Sequence, residues 1–220
     1  AKLVEFIEMA TRLGLVGHRM IGFTIGIADV QGGPETQKII DEKYEEAVEK
    51  IIVIENAWDN HTLRTVANGH DEEIWADMDP LDFMEEKIYN IAEKFEEAIL
   101  EPIQNYQGSG NPMQISVRSK ARGSNQSVQQ MAGSYGLVQL SGKRVRHGIT
   151  ADRVMSHFPV DDNHPKYGGF IKASYSTGMS PTDYWMTTTA GRRSIVESGM
   201  GNLALSGYLE RKMVKGIESY

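Results

Sequence analysis

Apolar residues recur at helical spacing in three stretches of the first half of the chain. Leu3, Phe6, Ile7, Ala10 and Leu13 share one face of the first, and Gly14 and Gly17 are expected to end it. In the second, Ile39, Ile40, Tyr44, Ala47, Val48 and Ile51 share a face. Thr36 is its expected cap, it runs to about Asn56, and Glu42, Glu45, Glu46 and Glu49 lie on its outer side. The third begins at Asp79-Pro80 and runs to about Ile103, with Phe83, Ile88, Ile91, Ala92, Phe95 and Ile99 inward. The second and third stretches predict a helical hairpin. Before it, Phe23–Ile27 reads as a short strand between Gly22 and Gly26, and Gln31-Gly32-Gly33-Pro34 as a turn.

The second half has a different texture. Residues 111–163 are rich in Gly, Ser, Gln and Arg and predict irregular structure. Then Ser180-Pro181 marks a helix start, with Ser as N-cap and Pro at the first helical position. No proline follows. A helix from Pro181 to Ser219 would be roughly 58 Å long at about 1.5 Å per residue. Gly191, Gly199, Gly201 and Gly207 fall inside it, each costing about 1 kcal/mol relative to Ala, so this helix needs support or a bend. The fold class expected is mostly α with irregular segments: a helical hairpin, a Gly/Ser-rich irregular region, and one long helix. The divisions are 1–35, 36–110, 111–179 and 180–220.

Charge separates the same two halves. The net charge of −7 combines 9 Lys and Arg against 23 Asp and Glu in residues 1–110 with 14 against 7 in residues 111–220. An acidic half joined to a basic half points the second half towards nucleic acid or nucleotides; the alternative is two faces that neutralise each other. With 220 residues, 40% hydrophobic and 24% charged, the chain can build a real core. No apolar run is long enough to cross a membrane, and no signal peptide is visible. The absence of cysteine excludes disulfides and thiolate zinc sites. Ala1 stands where an initiator Met is expected, which suggests processing or a longer parent chain.

Local motifs for common chemistries are missing. There is no phosphate-binding G-x-x-x-x-G-K-[ST], no dinucleotide fingerprint, no G-x-S-x-G elbow and no H-E-x-x-H pair. His61, His70, Asp71, Glu72, Glu73, Asp77 and Asp79 crowd the segment 57–79. These are adequate ligands for zinc or manganese, but their spacing fits no ligand pattern, and a solvated acidic loop is the default expectation.

Several ordered motifs resemble the largest subunit of the multisubunit RNA polymerases. Gly22-Phe23-Thr24-Ile25-Gly26-Ile27-Ala28-Asp29 is similar to G-F-[ST]-I-G-I-x-D, which precedes the family's funnel helices. Ser119-Lys120-Ala121-Arg122-Gly123-Ser124 is similar to S-G-[AS]-[RK]-G-S, Gln130-Met131-Ala132-Gly133 to Q-[ML]-x-[GA], and Gly142-Lys143-Arg144-Val145 to G-K-R-I. Arg153-Val154-Met155-Ser156-His157-Phe158 resembles R-T-L-P-H-F. The run from Gly169-Phe170-Ile171 through Ser180-Pro181-Thr182-Asp183-Tyr184, then Gly191-Arg192 and Ser206-Gly207-Tyr208, follows the family's bridge helix, a long helix across the active-site cleft. Departures include Glu197 for an Asp, Gly201 for a Lys and Ala190 for the first Gly of G-G-R.

The resemblance implies a fragment of a nucleotidyltransferase. The hairpin would line the secondary channel and the last helix would support template and incoming nucleotide. It places Ser198 and Gly199 opposite the template base, with Arg192 and Arg193 near template phosphate or the neighbouring large subunit. Arg118, Lys120 and Arg122 become candidates for phosphate or nucleotide contact, as do Arg211 and Lys212; a basic loop bridging to acidic neighbours is the alternative for the first three. Tyr175, Tyr184 and Trp185 are expected to be packing anchors rather than stacking platforms. The family's metal-holding N-A-D-F-D-G-D segment is absent, so Mg²⁺ would be bound outside this chain and the chain alone would be inactive. Implied partners are the other polymerase subunits, including the second-largest, template DNA, the transcript, nucleoside triphosphates and secondary-channel cleavage factors, with no membrane. The implied location is the cytoplasm, or the nucleus in a eukaryote. The rival expectations are a regulatory module whose acidic hairpin docks a basic factor, and a free-standing helical nucleic-acid binder.

Overall fold

The computed structural model describes residues 2–62, 79–140, 142–145, 153–159 and 164–218. Helix α1 (Lys2–Ile21) is followed by a single 3-10 turn (Ile27–Val30), α2 (Pro34–Asp59), α3 (Pro80–Gln107), α4 (Pro112–Arg118) and α5 (Asn125–Ala132). Four two-residue strands come next: β1 (Gly136–Leu137), β2 (Gln139–Leu140), β3 (Lys143–Arg144) and β4 (Phe170–Ile171). The long terminal helix comprises α6 (Pro181–Ser194), a π-helical segment (Ile195–Gly201) and α7 (Asn202–Glu218).

The hairpin of α2 and α3 carries the core. Ile40, Tyr44, Ala47, Val48, Ile51 and Ile54 meet Phe83, Met84, Ile88, Ala92, Phe95, Ile99 and Ile103 in one buried cluster, as the helical stripes require. Ile39 is exposed and Ile91 only half-buried, which narrows the expected stripes by one residue each. The cap of α2 is Gly33 rather than Thr36, with Pro34 at the first helical position. Gly33 has φ 75°, and a Cβ there would strike the Tyr106 ring. Thr36 is buried instead. Helix α3 starts where expected, with the Asp79 carboxylate accepting from Leu81 N at 3.2 Å.

Residues 111–163, expected to be irregular, contain two short helices and three of the strands. Asn111 caps α4 by accepting from Met113 N at 2.8 Å, while its amide donates to Asp29 O at 2.8 Å. Ser124 caps α5 by a reciprocal pair with Ser127. These are side-chain caps, which a pattern search for long apolar stripes does not register. Strand β1 pairs antiparallel with β4, Leu137 opposite Phe170, and β2 pairs with β3. A second, smaller cluster of Val138, Met155, Phe158, Ile171 and Met186 ties β4 to the root of the long helix.

Two N-terminal expectations are overturned. Helix α1 passes through Gly14 and Gly17 to Ile21, because isolated glycines lower helix stability without forbidding it. Its expected inward residues Leu3, Phe6, Ile7 and Leu13 are all exposed. No strand forms over residues 23–27; Ile27 opens the 3-10 turn, closed by Asp29 accepting from Gly26 N at 2.8 Å.

Candidate nucleic-acid interface

Phe170 links the hairpin to the root of the long helix. It is fully buried, its ring stacked on Tyr44 at 4.8 Å and met edge-on by Phe95 at 5.3 Å. Tyr44 Oη donates to Phe170 O at 2.9 Å. Burial, then the negative charges of Glu45 and Asp183, push the Tyr44 phenol above its ordinary range. Ser134 Oγ donates to Ile171 O at 2.7 Å. From β4 the chain turns through Ser174 and Thr177 and enters α6, where Ser180 Oγ accepts from Asp183 N at 3.2 Å. Met186 and Thr187 are the buried residues of α6. A cavity of about 350 Å³ lies at this junction, bordered by Tyr44, Glu45, Lys172 and Asp183.

Arg144 is the second joint. Its Nη1 donates to Glu55 at 2.7 Å, and its Nε and Nη2 fork onto Glu85 at 2.8 and 3.0 Å. Burial alone lowers the guanidinium pKa, but the hydrogen bonds and charge of Glu85, then of Glu55, more than offset it and hold it raised. Lys143 reaches Asp82 at 3.1 Å, and Lys172 reaches Asp41 at 3.2 Å and Glu45 at 3.5 Å. Basic residues of the second half therefore neutralise part of the hairpin, which is the alternative raised by the charge division.

The other basic candidates are exposed. Arg118 ends α4, and Lys120 and Arg122 follow in the next turn; all three are exposed and form no ion pair among the described residues. The structure thus brings them together and, among the described residues, does not bridge them to acidic neighbours. Lys120 N donates to Val117 O and Ala121 N to Ser116 O, the paired bonds of a Schellman ending. That ending puts Lys120 at φ 57°, the position where the family pattern has Gly. Arg192 and Arg193 are exposed in the last turn of α6. Ser198 and Gly199 lie in the π-helical segment; a Cβ on Gly199 would meet nothing within 4 Å. Arg211 and Lys212 stand in the middle of α7, and the Lys212 ammonium sits 4.8 Å from the Tyr208 ring centre.

Tyr184 and Trp185 are exposed, contrary to the expectation of packing anchors, because α6 turns Met186 and Thr187 inward instead, whereas Tyr175, half exposed in the turn before α6, meets the Tyr135 ring edge-on at 5.9 Å. On α2, Glu45 is engaged by Lys172, and hydrogen bonds from Lys50 and Lys43 hold the Glu46 carboxyl down at about 2. Glu42 and Glu49 have no ion pair among the described residues. In the acidic segment before α3, His61 is exposed and Asp79 is a cap; His70, Asp71, Glu72, Glu73 and Asp77 lie outside the described residues. Among the described residues no helix is long and apolar enough to cross a membrane.

Sequence reasoning missed Glu55, Glu85 and Tyr44 as joints. Glu55 had a signal: it follows Ile51 and Ile54 on the apolar stripe of α2, where a carboxylate requires a buried partner.

Comparison with known proteins gives this architecture its class. Residues 63–171 match the family model of RNA polymerase Rpb1, domain 4, so the chain is of the DNA-directed RNA polymerase class. It is 26% identical over 212 residues to the subunit Rpo1N of Halobacterium salinarum, covering 96% of this chain and 21% of that one. It is 28% identical to Rpo1N of Methanocaldococcus jannaschii, covering 97% and 15%, and 29% identical to the RNA polymerase III subunit rpc1 of Schizosaccharomyces pombe, covering 98% and 15%. The chain belongs to the family of multisubunit RNA polymerase largest subunits, and it spans about a fifth or less of the length of these three relatives.

Proposed function

We propose that this chain is the part of a transcribing RNA polymerase that lines the nucleotide entry channel with its hairpin and carries the bridge helix through its active site. The observation that supports this best is the helix from Pro181 to Glu218, whose central Gly199 has open space where a Cβ would stand. A base pair can pack directly on such a surface. In this reading the chain's chemistry is positioning. The two Mg²⁺ ions of nucleotidyl transfer neutralise the triphosphate and activate the transcript's 3′ oxygen, and they are held by carboxylates outside this chain. Arg192, Arg193, Arg211 and Lys212 offer point charges to nucleic-acid phosphates, which fix register without reading sequence. Arg118, Lys120 and Arg122 offer the same to an incoming triphosphate.

The partners are then the other subunits, the second-largest among them, template DNA, transcript, nucleoside triphosphates and cleavage factors entering by the channel. The enzyme would work in the cytoplasm, or in the nucleus of a eukaryote. The chain alone should synthesise no RNA in primer extension with Mg²⁺ and all four nucleotides. In reconstituted enzyme, Gly199→Leu should slow single-round elongation well beyond Gly199→Ala, because the longer side chain enters the space of the template base. Parental elongation by Gly199→Leu would show that Gly199 does not face the template.

A further inference from the structure

The acidic row of α2 already holds a cation, and the cation is the chain's own. Asp41, Glu45 and Glu49 follow one another at four-residue spacing, so their side chains stand in line about 6 Å apart. Lys172, just past β4, lays its ammonium across the first two, 3.2 Å from the Asp41 carboxylate and 3.5 Å from that of Glu45. It also stands 5.5 Å from the centre of the Tyr44 ring, whose face attracts cations. Gln37 Nε2 donates to the same Asp41 oxygen at 3.2 Å and fixes it in place. Glu49 and, beside the row, Glu42 are exposed and form no ion pair among the described residues.

This contact suits exchange. The Lys172 side chain is 38% exposed, that of Asp41 47% and that of Glu45 66%, and water competes for pairs so placed. Arg144, 4% exposed and forked onto Glu85, is not replaceable in this way. Lys172 keeps its place because it is tethered, an advantage that a single free cation cannot match. A partner with several cations can, since each contact keeps the next within reach.

We propose that Lys172 is a built-in competitor on a docking surface for basic polypeptide: it covers Asp41 and Glu45 until a partner, first held by Glu42 and Glu49, puts its own cations there. The partner's chemistry follows from the row. Nucleic acid is excluded by its charge. An extended chain sets alternate side chains about 6.7 Å apart on one side, so alternate lysines or arginines match the spacing of Asp41, Glu45 and Glu49. The exchange needs only this chain and its partner, whatever enzyme surrounds them. Lys172 weakens such docking without abolishing it, and so favours partners with several cations over those with one.

The experiment titrates the full 220-residue chain with octalysine at low salt. The chain has no cysteine, so one environment-sensitive fluorophore at Val53→Cys, exposed and next along the row after Glu49, reports binding there rather than elsewhere. Lys172→Met removes the charge and keeps an apolar stem over Tyr44. It should tighten octalysine binding about three- to five-fold, the scale of one exposed ion pair. Lys215→Met makes the same change in net charge on α7 and should alter the affinity far less. Lys172→Arg keeps the cation and should bind no more tightly than the parent. In a chain that also carries Asp41→Asn and Glu45→Gln, Lys172→Met should have no effect, because nothing is left to uncover. Unchanged affinity in Lys172→Met overturns the proposal. So does equal tightening by Lys215→Met, or tightening that persists without the two carboxylates, either of which would mark a general effect of net charge.

Discussion

Lys120 occupies a backbone position that suits glycine, at the residue after the C-cap of a Schellman ending with φ 57°. A side chain in that left-handed region costs about 1 kcal/mol. Lys120→Gly should therefore raise the urea midpoint, for a gain of about 1 kcal/mol or less; a lower midpoint would mean that the lysine stem contributes packing. Glu96 poses the opposite problem. Burial raises its carboxyl pKa, the nearby Leu137 amide and Gln129 side chain only partly offset this, and the charge of Glu93 raises it further. The folded state thus holds this proton more tightly than the unfolded chain does. The associated stability is fully present below the unfolded value and is lost as pH rises through the folded one. Glu96→Gln should flatten that decline, so the variant gains on the parent as pH rises from about 4 to 7 in thermal unfolding; parallel curves would remove the argument. Gly136 faces the same carboxylate, and its φ of 81° is the kind of detail a sequence shows only as one more glycine in a loop.

Two helix starts were legible in the chain, while those of α2, α4 and α5 and the helix ends were not. Asp79-Pro80 and Ser180-Pro181 combine an acceptor side chain with a ring that fixes φ, and both open helices as expected. The ends depend on tertiary support: α3 continues past Ile103 to Gln107, and α1 runs through two glycines. The strands were invisible to periodicity because each has two residues and is held by joints from elsewhere. Arg144 shows the energetics of one such joint, clamping β3 to both hairpin helices. Arg144→Ala would leave two carboxylates buried against each other and should cost about 3–5 kcal/mol in chemical denaturation. Replacing Arg144, Glu55 and Glu85 together by Met, Leu and Leu should recover most of that loss. If the single variant costs less than 1 kcal/mol, water or another cation already screens the pair.

Across the whole molecule, the acidic and basic halves are partly clasped, so the free charge is smaller than composition suggests. Of the four glutamates on the outer side of α2, Glu45 and Glu46 are already engaged. A basic factor entering the proposed channel should thus be steered mainly by Glu42 and Glu49. In reconstituted enzyme at low salt, Glu42→Gln with Glu49→Gln should lower its association rate a few-fold, and more than Glu45→Gln with Glu46→Gln, with the gap closing as salt rises. Equal effects of the two pairs would show that the existing ion pairs do not matter. The exposed basic trio at residues 118–122 and the arginines of the long helix were legible as candidates because charged residues beside Gly and Ser stand out in a chain. Tyr44 was not, since a tyrosine on a buried stripe looks like ordinary core until its hydroxyl is found on Phe170 O. The short anchorage of the terminal helix has a mechanical consequence. Held at Met186 and Thr187 and half-buried Ala190, it projects for roughly 40 Å as a cantilever. A tilt of about 5° at the root displaces its tip by about 3.5 Å, close to the width of one base-pair step, so an adjustment of a few tenths of an ångström beside Phe170 is geared up to the scale of a nucleotide at the far end.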